Sequence, residues 1–265
     1  MASEKQPTGH NNGVLWGEHS LDWANIQEGQ CRRVYETVFD RAKITSGTSY
    51  LDAGCGAGMA AMIAAARGAT VSGLDASEAL LQIARTRTPS ADLRQGELEA
   101  LPFADSIFDL ITGFNSFQYA ANPVKALQQA KRVATPGATV VLVTWGEPVG
   151  MPAAQLVAAL KPLLPPPPPD APGPFALSNE TALKALAYSA GLEPREIVDV
   201  ECPWEYADLT LALRGLSSAG VAAKARAHSS QDAIDEAHEK ALRTFKRSDG
   251  SYHIDASFRC LFATA

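Results

Sequence analysis

A glycine-rich stretch and two aspartates carry the first chemical signal in this chain. Leu51-Asp52-Ala53-Gly54-Cys55-Gly56-Ala57-Gly58 ends one short apolar run and opens an Ala-rich one. Glycine tolerates positive φ and lets a ligand touch the backbone. A helix that starts there leaves N–H groups without intrahelical partners. Asp75 closes the next apolar run, Ala69–Leu74, where a carboxylate can accept hydrogen bonds from a ribose diol. A glycine loop with such an acid about twenty residues on is a nucleoside-binding constellation. Two ligand classes compete for it. Gly56-Ala57-Gly58-Met59-Ala60-Ala61 satisfies the relaxed dinucleotide pattern G-x-G-x-x-G/A. Asp52 argues the other way, because a carboxylate at the loop entrance repels a pyrophosphate and attracts a cation or an amine.

These residues need a frame that holds them at strand ends, and the surrounding sequence supplies one. Short apolar runs over 50–53, 69–75, 92–95, 108–114 and 139–144 read as strands. Between them, 59–66, 77–87 and 123–133 read as helices, with Ser77 as N-cap, Pro123 near a helix start and Gly68 as a C-terminal cap. Strands that are continuously apolar and alternate with helices build a parallel sheet covered on both faces. Residues 14–45 read as helical. Further elements follow as a helix over 179–190, a strand over 195–200, helical sequence over 207–247 and a last strand, Phe258–Ala263. The proline run 165–169 reads as an extended surface connection. The first thirteen residues read as a disordered leader without the apolar core of a secretory signal.

Composition narrows the function classes. The chain has 265 residues, of which 46% are hydrophobic and 20% charged, so it can bury a full core without disulfides or metals. Its formal charge is −6, from 23 basic and 29 acidic residues, and shows no basic face for a nucleic-acid duplex. Arg32-Arg33 and Arg85/Arg87 read as solvated helix faces. No apolar run is long enough to span a membrane. Cys31, Cys55, Cys202 and Cys260 form no metal-ligand spacing and read as free thiols of a reducing cytoplasm.

Leu51–Gly58 resembles motif I of the class I S-adenosylmethionine-dependent methyltransferases, L-D-x-G-C-G-x-G. Four further stretches fit in order. Gly73-Leu74-Asp75-Ala76-Ser77 matches the second-strand motif, and Gly96-Glu97-Leu98-Glu99-Ala100-Leu101-Pro102-Phe103 is similar to G-D-x-x-x-L-P-F. Phe108-Asp109-Leu110-Ile111 matches the fourth-strand motif, and Arg132-Val133 with Pro136-Gly137 resembles the R-V-L-x-P-G-G turn, Ala138 replacing its second glycine. The likeness covers 51–145, fades after about 150, and is greatest to the small-molecule, ubiquinone/menaquinone-type (type 11) enzymes.

The resemblance implies a Rossmann-like, doubly wound α/β fold. Its mainly parallel seven-stranded sheet has an antiparallel last strand, a helical N-terminal segment and a helical cap. It implies one domain over 14–265, with a cofactor-binding core over 48–146 and a cap insertion over about 205–250 lying above the cofactor. It implies S-adenosyl-L-methionine as cofactor, a small-molecule acceptor and no metal. Gly54, Gly56 and Gly58, with Cys55 between them, lie under the amino-acid tail, and Asp52 faces its ammonium. Asp75 holds the ribose hydroxyls. Ala76 and Leu80 flank the adenine, while Glu97, in place of the usual Asp, and Leu98 meet its edge. Asn115 begins the wall of the active site.

In-line displacement at a methyl on cationic sulfur needs positioning above all, and a base only for a protonated acceptor. Candidates for that base are His19, Tyr119, His228 and His238, with Asn115 and Gln118 as orienting groups. Trp16, Trp23 and Trp204 are candidates for an aromatic acceptor wall or for plain core. One alternative is an NAD(P)-dependent oxidoreductase, which lacks a Tyr-x-x-x-Lys pair here, since Tyr119 and Lys125 stand six apart. Another is a non-catalytic cofactor-binding protein of the same fold. Base methylation of nucleic acid is disfavoured by Phe114-Asn115-Ser116-Phe117 where an Asn/Asp-Pro-Pro-Tyr motif would stand. The acceptor, the atom methylated and the oligomeric state are not legible.

Overall fold

A computed structural model describes residues 8–166 and 173–265. The expectation for residues 1–7 and that for Pro167–Pro169 fall outside these. The N-terminal segment comprises α1 (Gly9–Gly17), α2 (Ser20–Asp22) and α3 (Arg32–Ala42), with a π-helical turn over Trp23–Gln27 and a 3-10 turn over Glu28–Cys31. Then β1 (Ser49–Ala53), α4 (Met59–Ala66), β2 (Thr70–Asp75), α5 (Glu78–Arg87), β3 (Asp92–Gln95), β4 (Phe108–Phe114), α6 (Pro123–Val133) and β5 (Ala134–Trp145) alternate. The remainder holds α7 (Pro152–Ala159), α8 (Glu180–Ser189), β6 (Glu193–Glu201), β7 (Trp204–Tyr206), α9 (Leu209–Ser217), α10 (Gly220–Arg226), α11 (Gln231–Leu242), β8 (Tyr252–Ile254) and β9 (Ser257–Thr264).

The seven-stranded sheet has the order β3-β2-β1-β4-β5-β9-β6. β1 to β5 run parallel, and β9 is antiparallel to both β5 and β6, as the resemblance implies. Strand order reverses between β1 and β4, and in open α/β sheets ligands bind beyond the carboxyl ends of the strands at such a point. Both faces are covered. Val34, Val38 and Phe39 of α3 pack with Ala60, Ala61 and Ala64 of α4 on one face. Ala126, Leu127 and Ala130 of α6 pack with Leu183 and Ala187 of α8 on the other. The continuous apolar runs of β1 and β5 are explained by this burial from two sides. At the strands' amino ends Asp109 accepts from the Ser49 N–H at 2.9 Å, the end opposite the glycine loop.

Two sequence expectations need correction. The leader does not stay disordered to residue 13, because α1 begins at Gly9. The reason is a glycine at every fourth position. Gly9, Gly13 and Gly17 fall on one helix face and let the helix backbone approach the β2–α5 connection. A Cβ at Gly13 would stand 2.4 Å from the Ala76 carbonyl oxygen, and one at Gly17 would stand 2.8 Å from Ser77 Oγ. The cap, second, is wider than 205–250. Met151, Leu156, Trp204, Tyr206, Leu216, Leu242, Tyr252 and Ile254 form its own apolar core, so it recruits α7 and a two-stranded antiparallel β7–β8 ribbon that the sequence reading missed. Strands of three residues carry too few positions for a period to show. No helix among the described residues is long and apolar enough to cross a membrane.

Gly58 caps α4 at φ +83°, and a Cβ there would lie 2.9 Å from Ala84 Cα of α5. Gly58→Ala is therefore expected to cost about 2 kcal/mol or more, read as a fall of roughly 5 °C in the thermal midpoint. Gly13→Leu is expected to lift α1 alone. Amide exchange over residues 10–17 should speed roughly 10-fold, while β1 and β2 keep their protection.

Candidate functional site

The loop after β1 is shaped by two hydrogen bonds to one carbonyl. Gly54 N and Cys55 N both donate to Leu74 O, at 2.7 and 2.9 Å. That turn needs the left-handed region at Gly54 (φ +87°) and Gly56 (φ +54°). Asp75, at the carboxyl end of β2, joins three elements. Its Oδ2 accepts from Gly56 N at 2.9 Å and its Oδ1 from Ser77 N at 2.8 Å. Burial raises its pKa, and these N–H donors oppose the rise. Each carboxylate oxygen keeps lone-pair capacity beyond its one backbone bond.

A cavity opens beside this carboxylate. Gly54, Gly56, Asp75, Ala76, Leu80, Glu97, Leu98 and Asn115 all line it. Glu97 has a second partner that the sequence did not reveal, since its Oε2 accepts from Gly9 N at 3.0 Å and so caps α1. Asn115 sits at φ +54°, a conformation asparagine tolerates, and its Oδ1 accepts from Gln118. Thr8, Gly9, Asn12, Trp16 and Trp23 of the N-terminal segment complete the lining. Trp16 meets Trp23 edge-on at 4.9 Å and Tyr119 at 5.9 Å between ring centroids. Gly58 is not part of this lining and serves the packing of α4 on α5.

A smaller chamber adjoins the first, and Trp23, Gly54, Gly56 and Phe114 line both. Asp52, Cys55, Glu28, Tyr35 and Ala60 are the rest of its wall. Asp52 is buried with few partners, Thr112 Oγ1 donating at 3.4 Å. Burial, then the neighbouring Glu28 carboxylate, pushes its pKa up to about 8. Glu28 is itself buried, and its pKa is raised by that burial against the pull of Arg87. Arg87 forms an ion pair with Glu28 Oε2 and donates to Ala57 O at 2.9 Å and Ala24 O at 2.6 Å. It is thus no solvated helix-face residue but the tie between the N-terminal segment and the glycine loop. The Cys55 thiol is buried among Leu81, Ala84 and Leu93, and burial holds its pKa well above the ordinary range. An unreactive neutral thiol is the consequence.

The candidate bases do not converge. His19 lies between α1 and α2, its Nε2 3.9 Å from Glu18. His228 is exposed just beyond α10. His238 is buried inside the cap, its Nδ1 without a partner and its pKa lowered to about 4 by burial. None of the three lines either cavity. Tyr119 does, at the rim, and its backbone oxygen accepts from Thr8 and Asn12 at 2.8 and 3.0 Å. Trp16 and Trp23 are cavity walls, while Trp204 belongs to the cap core.

The expected placement of the 205–250 insertion over the site is likewise corrected. None of its residues lines either cavity. It rests instead on the N-terminal segment. Trp16 packs where a Cβ of Gly220 would stand, and Arg226 and Arg214 pair with Glu18 and Asp22. Tyr206 Oη donates to Gln27 Oε1 at 2.7 Å. Sequence periodicity could flag none of these contacts, because each joins residues more than 170 positions apart. Among the described residues no cluster of three or more His, Cys, Asp or Glu could hold a metal ion.

Known proteins share this architecture and these motifs. The family model of a methyltransferase domain matches residues 51–142. A demethylmenaquinone methyltransferase of Renibacterium salmoninarum is 34% identical over 123 residues, 46% of this chain and 52% of that protein. A malonyl-[acyl-carrier protein] O-methyltransferase of Erwinia billingiae is 30% identical over 196 residues, 74% of each chain. A solved S-adenosylmethionine-dependent methyltransferase from Aquifex aeolicus superposes with a TM-score of 0.56 at 15% identity, covering 93% of this chain and 97% of that one. The chain spans about half the length of the first of the curated relatives it matches. Its sheet order, its glycine loop and an alignment that runs past the core through three quarters of a relative place one conclusion beyond the resemblance: this chain belongs to the class I S-adenosylmethionine-dependent methyltransferases of the type 11 group.

Proposed function

We propose that the protein transfers a methyl group from S-adenosyl-L-methionine to a small-molecule acceptor by in-line displacement. The observation that carries this reading is Asp75, poised at the end of β2 with free lone pairs over a cavity walled by Ala76, Leu80 and Leu98. The wall fits the cofactor. A carboxylate there suits a ribose diol, apolar Ala76 and Leu80 suit a purine face, and buried acids beyond the glycine loop suit a cationic amino-acid tail. When bound, the cofactor supplies an electrophilic methyl on positively charged sulfur. The chain's own residues bind, orient and exclude water. Asp52 and Glu28 on the far side of Gly56 disfavour a pyrophosphate, and with it the dinucleotide alternative.

No histidine lines the cavities, so the site suits an acceptor that is already nucleophilic, such as an enolate, a thiolate or an unprotonated amine. Asn115, held by Gln118, and the rim residue Tyr119 are the polar groups placed to orient it. The net charge of −6 and four free thiols, three of them buried, support a cytoplasmic protein that binds no nucleic acid.

Calorimetry with S-adenosylhomocysteine tests the binding step, and a radiolabelled methyl-donor assay over acceptor classes tests turnover. Asp75→Ala is expected to weaken S-adenosylhomocysteine about 30-fold, with folding checked by circular dichroism; equal affinity in the two proteins would sink the reading. Asp52 separates stability from binding. Its native pKa of about 8 exceeds the ordinary carboxyl value, so the folded state holds a proton that the unfolded chain releases. Stability is then full below about pH 4 and is lost as pH rises through about 8. Asp52→Asn is expected to raise the thermal midpoint at pH 8 by roughly 3 °C, to leave it unchanged at pH 4, and to weaken S-adenosylhomocysteine.

A further inference from the structure

Two thiols far apart in the chain meet at the start of α3. Cys31 is the N-cap residue of that helix, yet its own side chain makes no capping bond. Cys202, which directly follows β6, reaches the same place from across the fold. Its thiol donates to Gln30 O at 2.9 Å, and the backbone N–H groups of Val34 and Arg33 point at the same sulfur. Gln30 O lies about 2.8 Å from the Cα of Cys31 by peptide geometry, which puts the Cys202 sulfur within about 6 Å of that Cα. Gln30 fixes the approach, since its Nε2 donates to Glu205 O at 2.7 Å and its Oε1 accepts from Glu205 N at 2.9 Å.

The other two thiols are placed differently. Cys55 lies among Leu81, Ala84 and Leu93. Cys260 pairs in register with Val198, four residues before Cys202, and four strand residues span about 13 Å. A disulfide needs its Cα atoms within about 7 Å. Cys31 is partly exposed while Cys202 is buried, so an oxidant meets Cys31 first. Burial, then Cys202 and Glu28, hold the Cys31 pKa well above the ordinary range, so the thiol stays reduced in a reducing compartment and reacts slowly at neutral pH. Burial also raises the Cys202 pKa, against the pull of the Val34 and Arg33 N–H groups and the Arg33 charge.

We propose that Cys31 and Cys202 form a redox modification site, which hydrogen peroxide closes into a disulfide joining the N-terminal segment to the end of β6. The Cys31 thiolate, its proton given to water, attacks one peroxide oxygen; the O–O bond breaks and hydroxide leaves, to be protonated. The Cys202 thiolate then attacks the sulfur of the resulting sulfenic acid; the S–O bond breaks and a second hydroxide leaves. Two thiols are oxidised to one disulfide, and one peroxide is reduced to two waters. The bond joins positions more than 170 apart and closes β1 to β6 into one covalent loop. It also fixes the end of the turns that carry Trp23 and Glu28 to the wall of the smaller chamber.

The test treats the reduced, full-length protein with excess hydrogen peroxide and reads the products by intact mass and by peptide mapping without reduction. The expected product is a single chain that has lost two hydrogens, with the Cys31 and Cys202 peptides linked, and dithiothreitol restores the starting mass. Closure is expected to raise the thermal midpoint by roughly 5 °C. Cys31→Ser, which keeps a good N-cap residue, is expected to abolish the link, while Cys55→Ala retains it. Thiols left unreacted, a bond between two chains, a link between any other pair of cysteines, or sulfinic acid on Cys31 without a link would each overturn the site. A link that leaves the midpoint unchanged or lowers it would overturn it as well, since that marks a bond forced on the fold.

Discussion

The carboxylate of Asp75 organises the ligand edge of this protein. By accepting from Gly56 and Ser77 it ties the loop after β1 and the start of α5 to the end of β2. Those N–H groups would otherwise be unpaired donors at a helix entrance and in a glycine turn. The turn itself exists because Gly54 and Cys55 both donate to Leu74 O, which only a left-handed residue at Gly54 permits. Once that corner is set, Ala76 and Leu80 must face the same cavity as Gly54 and Gly56. The N-terminal helix can then settle on Ala76 and Ser77 only through glycines.

The legible part of the fold follows from this economy. Strands buried on both faces announce themselves as apolar runs, so β1, β2, β4 and the apolar half of β5 could be read closely, while the Ala134–Ala138 start of β5, which passes through Pro136 and Gly137, was read as a turn. Asp75 was legible as the acid closing the apolar run after a glycine loop, whereas Ala76, Leu80, Glu97, Leu98 and Asn115 were expected only through the family resemblance; all six line the cavity. The N-terminal contribution was not legible. Gly9-His10-Asn11-Asn12-Gly13 has the composition of a loop, and its helix forms only because glycine contact with Ala76 outweighs poor intrinsic propensity. Glu28 and Arg87 look like surface charges in sequence. Their pairing across the fold brings both in from water, an outcome that no local pattern encodes. The cap fared similarly: its helices were visible, but which surface they cover depends on contacts between the two ends of the chain.

The acids of the smaller chamber show stability and function pulling in opposite directions. Asp52 and Glu28 raise each other's cost of ionisation, and a purely structural design would replace one of them with an amide or an apolar group. Retaining both, with a single guanidinium paired to Glu28, leaves Asp52 holding its proton at neutral pH. Under the proposed function a cationic ligand favours the ionised form, so the cost of the unliganded site is recovered on binding. Cys55 is inert for a related reason: burial first, and then the neighbouring Asp75 and Asp52, disfavour a thiolate and hold its pKa well above the ordinary range.

The N-terminal segment also decides how the cap relates to the cofactor site. Its ion pairs to the cap, Glu18 with Arg226 and Asp22 with Arg214, are partly exposed, and such pairs contribute about 1 kcal/mol or less. The buried contacts matter more: Tyr206 with Gln27 and Trp16 against Gly220 on the cap side, Glu28 with Arg87 and the glycine face of α1 on the core side. Removing one member of a buried charge pair costs about 3–5 kcal/mol, so the segment holds more firmly to the core at Arg87 than to the cap through its surface charges. The cap also meets the sheet directly, Trp204 lying edge-on to Trp145 of β5 at 5.7 Å between ring centroids, so the segment and the end of β5 together fix its position.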